Sequence, residues 1–582
     1  MTHCIEDRHM NLINTPLTPQ DLKRSRSNIF PQFAILGTCV AERLLSIAQN
    51  AGISADHYIV ESDPGHPIPT IDWSHYDAGI VHITMRQLLR AVAPSGTGDV
   101  AYIDDLRFDD VVSSTVKCLN KRLDEITSFY NNSKPMFYIS FLEPPQTSRG
   151  IFYNNRENSI YRLMRELNDF MAGHLSGTVG HYYLETNDFV SYFGNHEFSD
   201  SYHNHFTHAG FFGQTESGNN VYRSILQRIV DALDVLNGSD QIKIIITDLD
   251  NTMWNGVAAE EDDIVPWQHT EGWPIGYVEA LLECKRRGIL LAICSKNDET
   301  KTRENFKKLW GERISIDDFC SVKINWLRKS ENISSILQEV NILPGSALFI
   351  DDNPVEIDEV KNSFPEIRTL SYPPEQWRNI LLHSPQLQVV AVTEESRNKN
   401  LIIKEKIARD DSKTLMSHAE WLVSLSLTLR FVEIYDDEHK SFSRALELIN
   451  KTNQFNTTGR RWGIHEIRDL FDAGGFIIAC LAHDRFSNHG LISAAIISGD
   501  TILQIVLSCR VFNLGIETAM LNKVIGRILN SGFQNVRGLL NETGKNSSCM
   551  NFYYDNGFIK DDDSAWVGKL ATECPEWITI EN

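Results

Sequence analysis

Two aspartates separated by one residue, Asp248 and Asp250, follow directly on the run Ile244, Ile245, Ile246, Thr247. Such a run is the pattern of a strand buried on both faces, and burying a carboxylate is costly unless a partner compensates it. Later segments carry polar groups that a parallel sheet delivers to the same edge: Ser295 after ILLAIC, Lys329 opening a helix, and Asp351–Asp352 after ALFI. Carboxylates gathered from separate strands make an oxygen-rich pocket suited to Mg²⁺, which also removes the burial problem. A lysine and a hydroxyl in the same place suit a phosphoryl group, whose transfer needs in-line positioning and charge neutralisation. Cys294, next to Ser295, is a thiol that could accept an acyl group from an acyl phosphate if Lys329 or the metal lowered its pKa. Neighbouring strand residues face opposite sides, so a buried structural cysteine is the alternative.

The elements that must position these groups alternate cleanly over 241–375. Strands KIIITD, ILLAICS, FCSVKI and ALFID are separated by helices such as GYVEALLECKRR and SENISSILQEV. That alternation predicts a doubly wound parallel sheet with its ligands beyond the carboxyl ends of the strands. Asp248 and Ser295 are 47 positions apart, and Ser295 and Lys329 are 34 apart. Neither interval has room for a large cap domain, so the site is expected to be open to a macromolecular substrate. Residues 1–30 read as a polar lead-in and 31–240 as another α/β domain, with strands FAILGTCV, AGIVHI and MFYISFL and the helix YRLMRELNDFMAGHL. Residues 376–425 read as a charged helical connector. From 426 to 582 the strands LTLRFVEI, GFIIACLA, LISAAIIS and TILQIVLSC precede the helix IETAMLNKVIGRIL, an α+β pattern.

The central motifs, DLDNTMW among them, resemble the haloacid dehalogenase (HAD) superfamily, specifically its class with DxDxTLW, Met253 replacing the leucine. The resemblance implies Asp248 as nucleophile toward phosphorus and Asp250 as general acid/base. It implies Thr252 and Ser295 as holders of phosphate oxygens and Lys329 as the neutraliser of phosphoryl charge. Mg²⁺ would be held by Asp248, the main-chain carbonyl of Asp250 and Asp351, with Asp352 as a secondary ligand.

In the C-terminal region, SCRVFNLGIETAMLNKVI sets Arg510 and Gly515 at a strand-to-helix turn, where backbone N–H groups can bind a pyrophosphate. NSSCMNFYYDNGF resembles a segment of GNAT acyltransferases, with Asn546, Tyr553, Gly557 and Phe558 on its marked positions. In that family coenzyme A lies on the turn and the tyrosine can protonate the departing thiolate. Here Asn513 stands where the family's turn carries its first glycine, which makes a pantetheine arm on a carrier protein a plausible substitute for coenzyme A. LINKTNQFNTTGRRW gathers amides, threonines and paired arginines, including Asn453, Arg460 and Arg461. These can bind a polar acyl chain, a phosphate or an acidic partner, or they can serve as caps and turns.

Near the N-terminus, FAILGTCVAERLL puts Gly37, Thr38 and Cys39 at a strand end, and Asp200 and His203 have DxxH spacing. Together these resemble SGNH hydrolases, with Thr38 or Cys39 in place of the family's serine, which points to a noncatalytic scaffold. His196, His205 and His208 match no ligand spacing.

The order of these regions, together with DDNPVE and INWLRKSENI, resembles the FkbH-like family of HAD proteins. That resemblance implies transfer of a glyceryl unit from 1,3-bisphosphoglycerate to the phosphopantetheine thiol of an acyl carrier protein, with release of phosphate, in polyketide or related biosynthesis. The alternatives are a plain Mg²⁺-dependent phosphatase on a small phosphorylated metabolite or protein, and a nonenzymatic scaffold for a carrier protein. Composition agrees with a cytoplasmic enzyme. A formal charge of −22 disfavours nucleic-acid partners. No apolar run approaches the length of a membrane span. No secretory signal opens the chain, and ten cysteines without a CxxC pair fit reduced thiols better than a disulfide framework.

Overall fold

The computed structural model describes residues 15–23, 31–92, 107–130, 134–142, 160–193, 216–257, 264–370, 373–412, 417–508, 511–561, 564–568 and 573–581. They fall into two compact units: one reaching to Asp234, the other running from Val235 onward and including Asp21–Lys23.

The first unit holds an all-parallel sheet of β1 (Gln32–Gly37), β2 (Ser54–Ile59), β3 (Ala78–His82), β4 (Met136–Ile139) and β5 (His181–Leu184), in the order β2-β1-β3-β4-β5. Its crossover helices include Glu42–Asn50, Phe108–Phe129 and Ile160–Ser176. Thr38 and Cys39 sit just beyond β1, beside the switch between β1 and β3. Asp200, His203, His196, His205 and His208 lie outside the described residues.

In the second unit β6 (Ile244–Thr247), β7 (Leu290–Ser295), β8 (Ser321–Ile324), β9 (Ala347–Ile350) and β10 (Arg368–Thr369) form a parallel sheet in the order β10-β9-β6-β7-β8. The chain reverses direction across the sheet between β6 and β9, so a crevice opens at their carboxyl ends, at Asp248 and Asp351. Alternation along the strands sends Ile245, Leu291, Ile293 and Leu348 to one core, with Met253, Trp254 and Tyr277. It sends Ile244, Ile246, Ala292, Cys294 and Phe349 to the other, with Ile333 and Ile336. Leu22, within the expected polar lead-in, is buried in the first of these cores, and its carbonyl accepts from Arg368 Nε at 2.8 Å.

The third sheet, mostly antiparallel, contains β11 (Leu427–Ile434), β12 (Phe455–Asn456), β13 (Phe476–His483), β14 (Asn488–Ser498), β15 (Thr501–Leu507), β16 (Val536–Leu539), β17 (Ile559–Lys560), β18 (Ala565–Gly568) and β19 (Ile578–Glu581). Its order is β17-β18-β16-β15-β14-β13-β11-β19, and β12 pairs with β15. The chain is thus multidomain α/β with two parallel sheets and an α+β C-terminal part. No described helix is long and apolar enough to cross a membrane, and the eight described cysteines are free thiols.

The expected connector is a packed element. In the helix Glu394–Ser412, Asn400 accepts from Leu291 N at 2.9 Å and donates to Ile289 O at 3.2 Å, completing the start of β7. Further along, Arg409 reaches Asp484 Oδ2 at 3.3 Å, and His489 Nε2 lies 2.9 Å from the same oxygen. All three side chains are buried. Burial pushes the Asp484 carboxyl up, but His489 and the N–H groups of Ser487 and Phe486 outweigh it and hold the group at about 2. Asp484→Ala should therefore lower the unfolding free energy in denaturant by about 3–5 kcal/mol, because Arg409 stays buried without its carboxylate. The stabilisation from Asp484 is present above the unfolded carboxyl value of about 3.9. It is lost as pH falls toward about 2, so acid titration should cost the wild type more stability than the variant.

Candidate active site

Beyond β6 the chain makes a tight turn. Met253 N and Thr252 N both donate to Leu249 O, and Asn251 takes a left-handed φ of 50°. Gly256, at φ 83°, closes the loop: its N–H donates to Asn251 Oδ1 and its carbonyl accepts from Asn251 N. This turn leaves Asp248 at the crevice and carries Asp250 over it.

Lys329 is the first residue of the helix Lys329–Val340. A cation at a helix N-terminus opposes the helix dipole, so something must hold it there. Its Nζ lies 3.1 Å from Asp248 Oδ1 and contacts Asp351 Oδ2, and Lys329 itself is only 3% exposed. The preceding loop is braced by a reciprocal amide pair between Asn325 and Asn332, by Asn325 N donating to Ser295 O, and by Arg328 and Ser330 meeting Glu359. Asp351 Oδ1 accepts from Asn353 N at 2.9 Å, while Asn353 caps the helix Pro354–Ser363.

Asp248, Asp351 and Asp352 each offer an oxygen, and the three oxygens lie within 4.8 Å of one another. A donor set made only of carboxylate oxygens suits a hard divalent cation such as Mg²⁺. Burial pushes the Asp248 carboxyl up, Lys329 pulls it back and Asp351 pushes it up again. Burial opposes the charge on Lys329, but Asp248 and Asp351 outweigh it and raise its pKa. Asp352 is raised by burial and by Asp351. The Asp250 carboxylate is not part of this acidic group. Trp254 Nε1 donates to its Oδ1 and Asn297 Nδ2 to its Oδ2, both at 2.8 Å. Its carbonyl remains the part proposed to face a metal. Ser295 is buried and receives Asn297 Nδ2 at 3.1 Å. The buried Thr252 hydroxyl has no hydrogen-bond partner, so its donor stays available. Asn297 was not singled out from the sequence, although its place just past the end of β7 is a usable signal.

Neither interval between the motifs holds a domain-sized insertion among the described residues. Large apolar side chains stand exposed after the strands of this sheet: Trp326 at 75% in the loop before Lys329, Val355 at 71% in the first turn of the helix Pro354–Ser363 and Trp267 at 63% in the short helix Pro266–Thr270.

Several expectations require correction. Cys294 is fully buried in the core beneath the Lys329–Val340 helix, its Sγ 3.8 Å from Lys329 O, and burial pushes its thiol up. Its side chain thus belongs to the core on the far face of the strand, the structural alternative raised by strand alternation. In the C-terminal sheet β15 has β14 on one side, and on the other β16 at Thr501–Ile502 and β12 at Val506–Leu507. Asn546 is buried and structural, donating to Asn456 O and Asn541 O. Tyr553 is buried against Gly538, where an added Cβ would lie 2.7 Å from its hydroxyl. Gly515, at φ 81°, is packed under the C-terminal tail; a Cβ there would lie 2.9 Å from Pro575, and Trp577 Nε1 donates to Leu514 O. Asn453 is held by Arg461, whereas Arg460 pairs with Glu466 and lies 3.7 Å over the Trp462 ring. These contacts give Gly515, Asn546 and Tyr553 packed surroundings within the fold, whereas Arg460 is exposed. Arg510 lies outside the described residues.

No known family profile matches the sequence, and no curated protein does. Among solved structures, the N-terminal part of a Bacteroides fragilis protein, described as containing a phosphatase domain complexed with Mg, matches at 20% identity. That match covers 64% of this chain and 98% of the other, with a TM-score of 0.47. A GCN5-related glucosamine N-acetyltransferase region of a fungal multidomain β-N-acetylglucosaminidase matches at 10% identity over 90% of this chain and 62% of the other, with a TM-score of 0.16. Both scores are too low to carry an argument, so the site is read from its own geometry.

Two outcomes follow from this geometry. Titration with Mn²⁺ or Mg²⁺, followed by calorimetry, should show an ion bound to the wild type, and Asp351→Asn should weaken it by about 10-fold or more. Coenzyme A should leave the melting temperature unchanged, because the edge of β15 and the turn at Gly515 are filled by the chain itself.

Proposed function

We propose that the central pocket performs Mg²⁺-dependent phosphoryl transfer, in the manner of the HAD proteins its motifs resemble, on a small phosphorylated substrate. The observation that carries this reading is the convergence of Asp248, Asp351 and Asp352 around the Lys329 ammonium. An Asp248 oxygen attacks phosphorus as the bond from phosphorus to the leaving group breaks, and Asp250 gives its proton to the departing oxygen. Water then attacks the aspartyl phosphate, Asp250 takes its proton, and phosphate leaves from a free Asp248. Lys329, with Ser295 and Thr252, neutralises and holds the phosphoryl oxygens. When bound by Asp248, Asp351, the Asp250 carbonyl and Asp352, Mg²⁺ supplies further charge stabilisation.

A second reading is acyl transfer from 1,3-bisphosphoglycerate to the phosphopantetheine thiol of an acyl carrier protein. The exposed Trp326, Val355 and Trp267 favour it, since a protein partner can cover apolar side chains that a small metabolite cannot. The carrier's thiol then attacks the acyl carbon at the central pocket, the carbon–oxygen bond to phosphate breaks, and the thiol proton leaves with the phosphate, so the scheme uses no intermediate on Cys294 or the C-terminal sheet. The N-terminal unit is proposed to be a noncatalytic scaffold.

With Mg²⁺ and a phosphorylated substrate the wild type should release phosphate, and Asp248→Asn should remove that activity in a protein that still folds, as circular dichroism would check. Cys294→Ser should retain at least about half the wild-type rate, since removing a core thiol touches no reacting atom. Adding bisphosphoglycerate and a pantetheinylated carrier, then weighing the carrier, separates the readings: a glyceryl-sized gain supports acyl transfer, and phosphate release without it supports hydrolysis. An active Asp248→Asn protein overturns both.

A further inference from the structure

We propose that Asn297, together with Trp254, is a positioning residue that fixes the orientation of the Asp250 carboxylate and ties it to the phosphate-holding hydroxyl of Ser295. This rests on the phosphoryl-transfer reading above. Both Asp250 oxygens receive an N–H donor 2.8 Å away, one from the Trp254 indole and one from the Asn297 amide. The two donors come from different places along the chain. Trp254 lies four residues after Asp250 in the turn beyond β6, and Asn297 follows β7. Asn297 is 6% exposed and Trp254 1% exposed, and the indole packs edge-on against Phe306, with ring centres 6.0 Å apart. Neither donor is free to swing with solvent, so the carboxylate is gripped at both ends by groups the core holds still.

The grip has a chemical consequence. A carboxyl group that delivers a proton to a leaving oxygen must present a particular lone pair along a particular line. Indole N–H can only donate, and the Asn297 amide nitrogen donates as well. Each Asp250 oxygen therefore has a direction engaged by a fixed donor, which restricts the line along which the proton travels. The same Asn297 nitrogen lies 3.1 Å from Ser295 Oγ. Shared by both groups, it sets the distance between the acid/base carboxylate and the hydroxyl expected to hold a phosphoryl oxygen. Asn297 thus relates the proton donor to the phosphorus on which it acts. A buried asparagine that only filled space would show no such pairing.

A positioning role predicts dependence on the leaving group. A poor leaving group, such as the alkoxide of a simple alkyl phosphate, needs protonation as it departs, whereas p-nitrophenolate does not. The parameter to compare is kcat/KM, which reports steps only up to the first departure and is blind to later hydrolysis of the phosphoenzyme. With the full-length protein and Mg²⁺, Asn297→Ala should lower kcat/KM for the alkyl phosphate by about 10–100-fold and for p-nitrophenyl phosphate by less than about threefold. Trp254→Phe, which removes the indole donor while keeping an aromatic ring in the core, should show the same asymmetry, and it tests the grip if the alanine variant does not fold. Equal losses on the two substrates, or none, overturn the positioning role while leaving phosphoryl transfer intact. A wild type inactive on both overturns phosphoryl transfer and, with it, this inference.

Discussion

One buried ammonium organises the second unit. Lys329 sits at the N-terminus of its helix, where the dipole disfavours it, and is almost wholly removed from water. Only the two carboxylates beside it make that position tolerable, and they in turn need a positive charge to be buried at all. Asp248 comes from the end of β6, Asp351 from the end of β9 and Lys329 from the helix after β8. The mutual requirement of these charges therefore fixes the relative height of three elements far apart in sequence. Much of the neighbouring polar structure serves this arrangement. The Asn325–Asn332 pair holds the loop before Lys329, and Asn353 N holds the far oxygen of Asp351.

Charge balance also explains why the same pocket suits a phosphoryl group. Two buried carboxylates against one ammonium leave a negative excess, to which the partly exposed Asp352 adds. Under the proposed function, a divalent cation held by these carboxylates would bring the site close to neutrality and add to the positive charge that Lys329 offers a phosphoryl group. Among the described residues no domain-sized insertion lies between the motifs, and the exposed Trp326, Val355 and Trp267 make this edge unlike an ordinary solvated rim.

The parts legible in the sequence were those governed by local periodicity. Apolar runs ending in aspartate marked β6 and β9, and strand-helix alternation gave the parallel central sheet. Strand alternation alone already separated Cys294 from Ser295, and the burial of the thiol follows that parity. What remained hidden depended on contacts between distant segments. Gly515 reads as a phosphate-binding turn until Trp577, 63 residues away from Leu514, closes over it. Asn546 and Tyr553 fall on positions that resemble an acyltransferase motif, yet the strand that buries their surroundings is β12, from the segment expected to bind substrate. The polar lead-in hid Leu22 for the same reason, since one leucine carries no period of its own.

The filling of the C-terminal sheet by its own chain has a structural logic. Phe455–Asn456 pairs with β15, and Thr457 N donates to Ile505 O while Ile505 N donates to Thr457 Oγ1. One residue before this strand, Gln454 Oε1 accepts from Asn341 Nδ2 at 3.3 Å. Asn341 is the left-handed C-cap of the helix whose first residue is Lys329. The inserted segment therefore touches the distal end of the helix that presents the buried ammonium. On its other side the Glu394–Ser412 helix completes β7 through Asn400 and enters the C-terminal sheet through Arg409. An open groove for an acyl donor could not share this space with β12. With β12 in place, the C-terminal sheet braces the central pocket at the far end of the Lys329 helix and at the start of β7, the strand that carries Ser295.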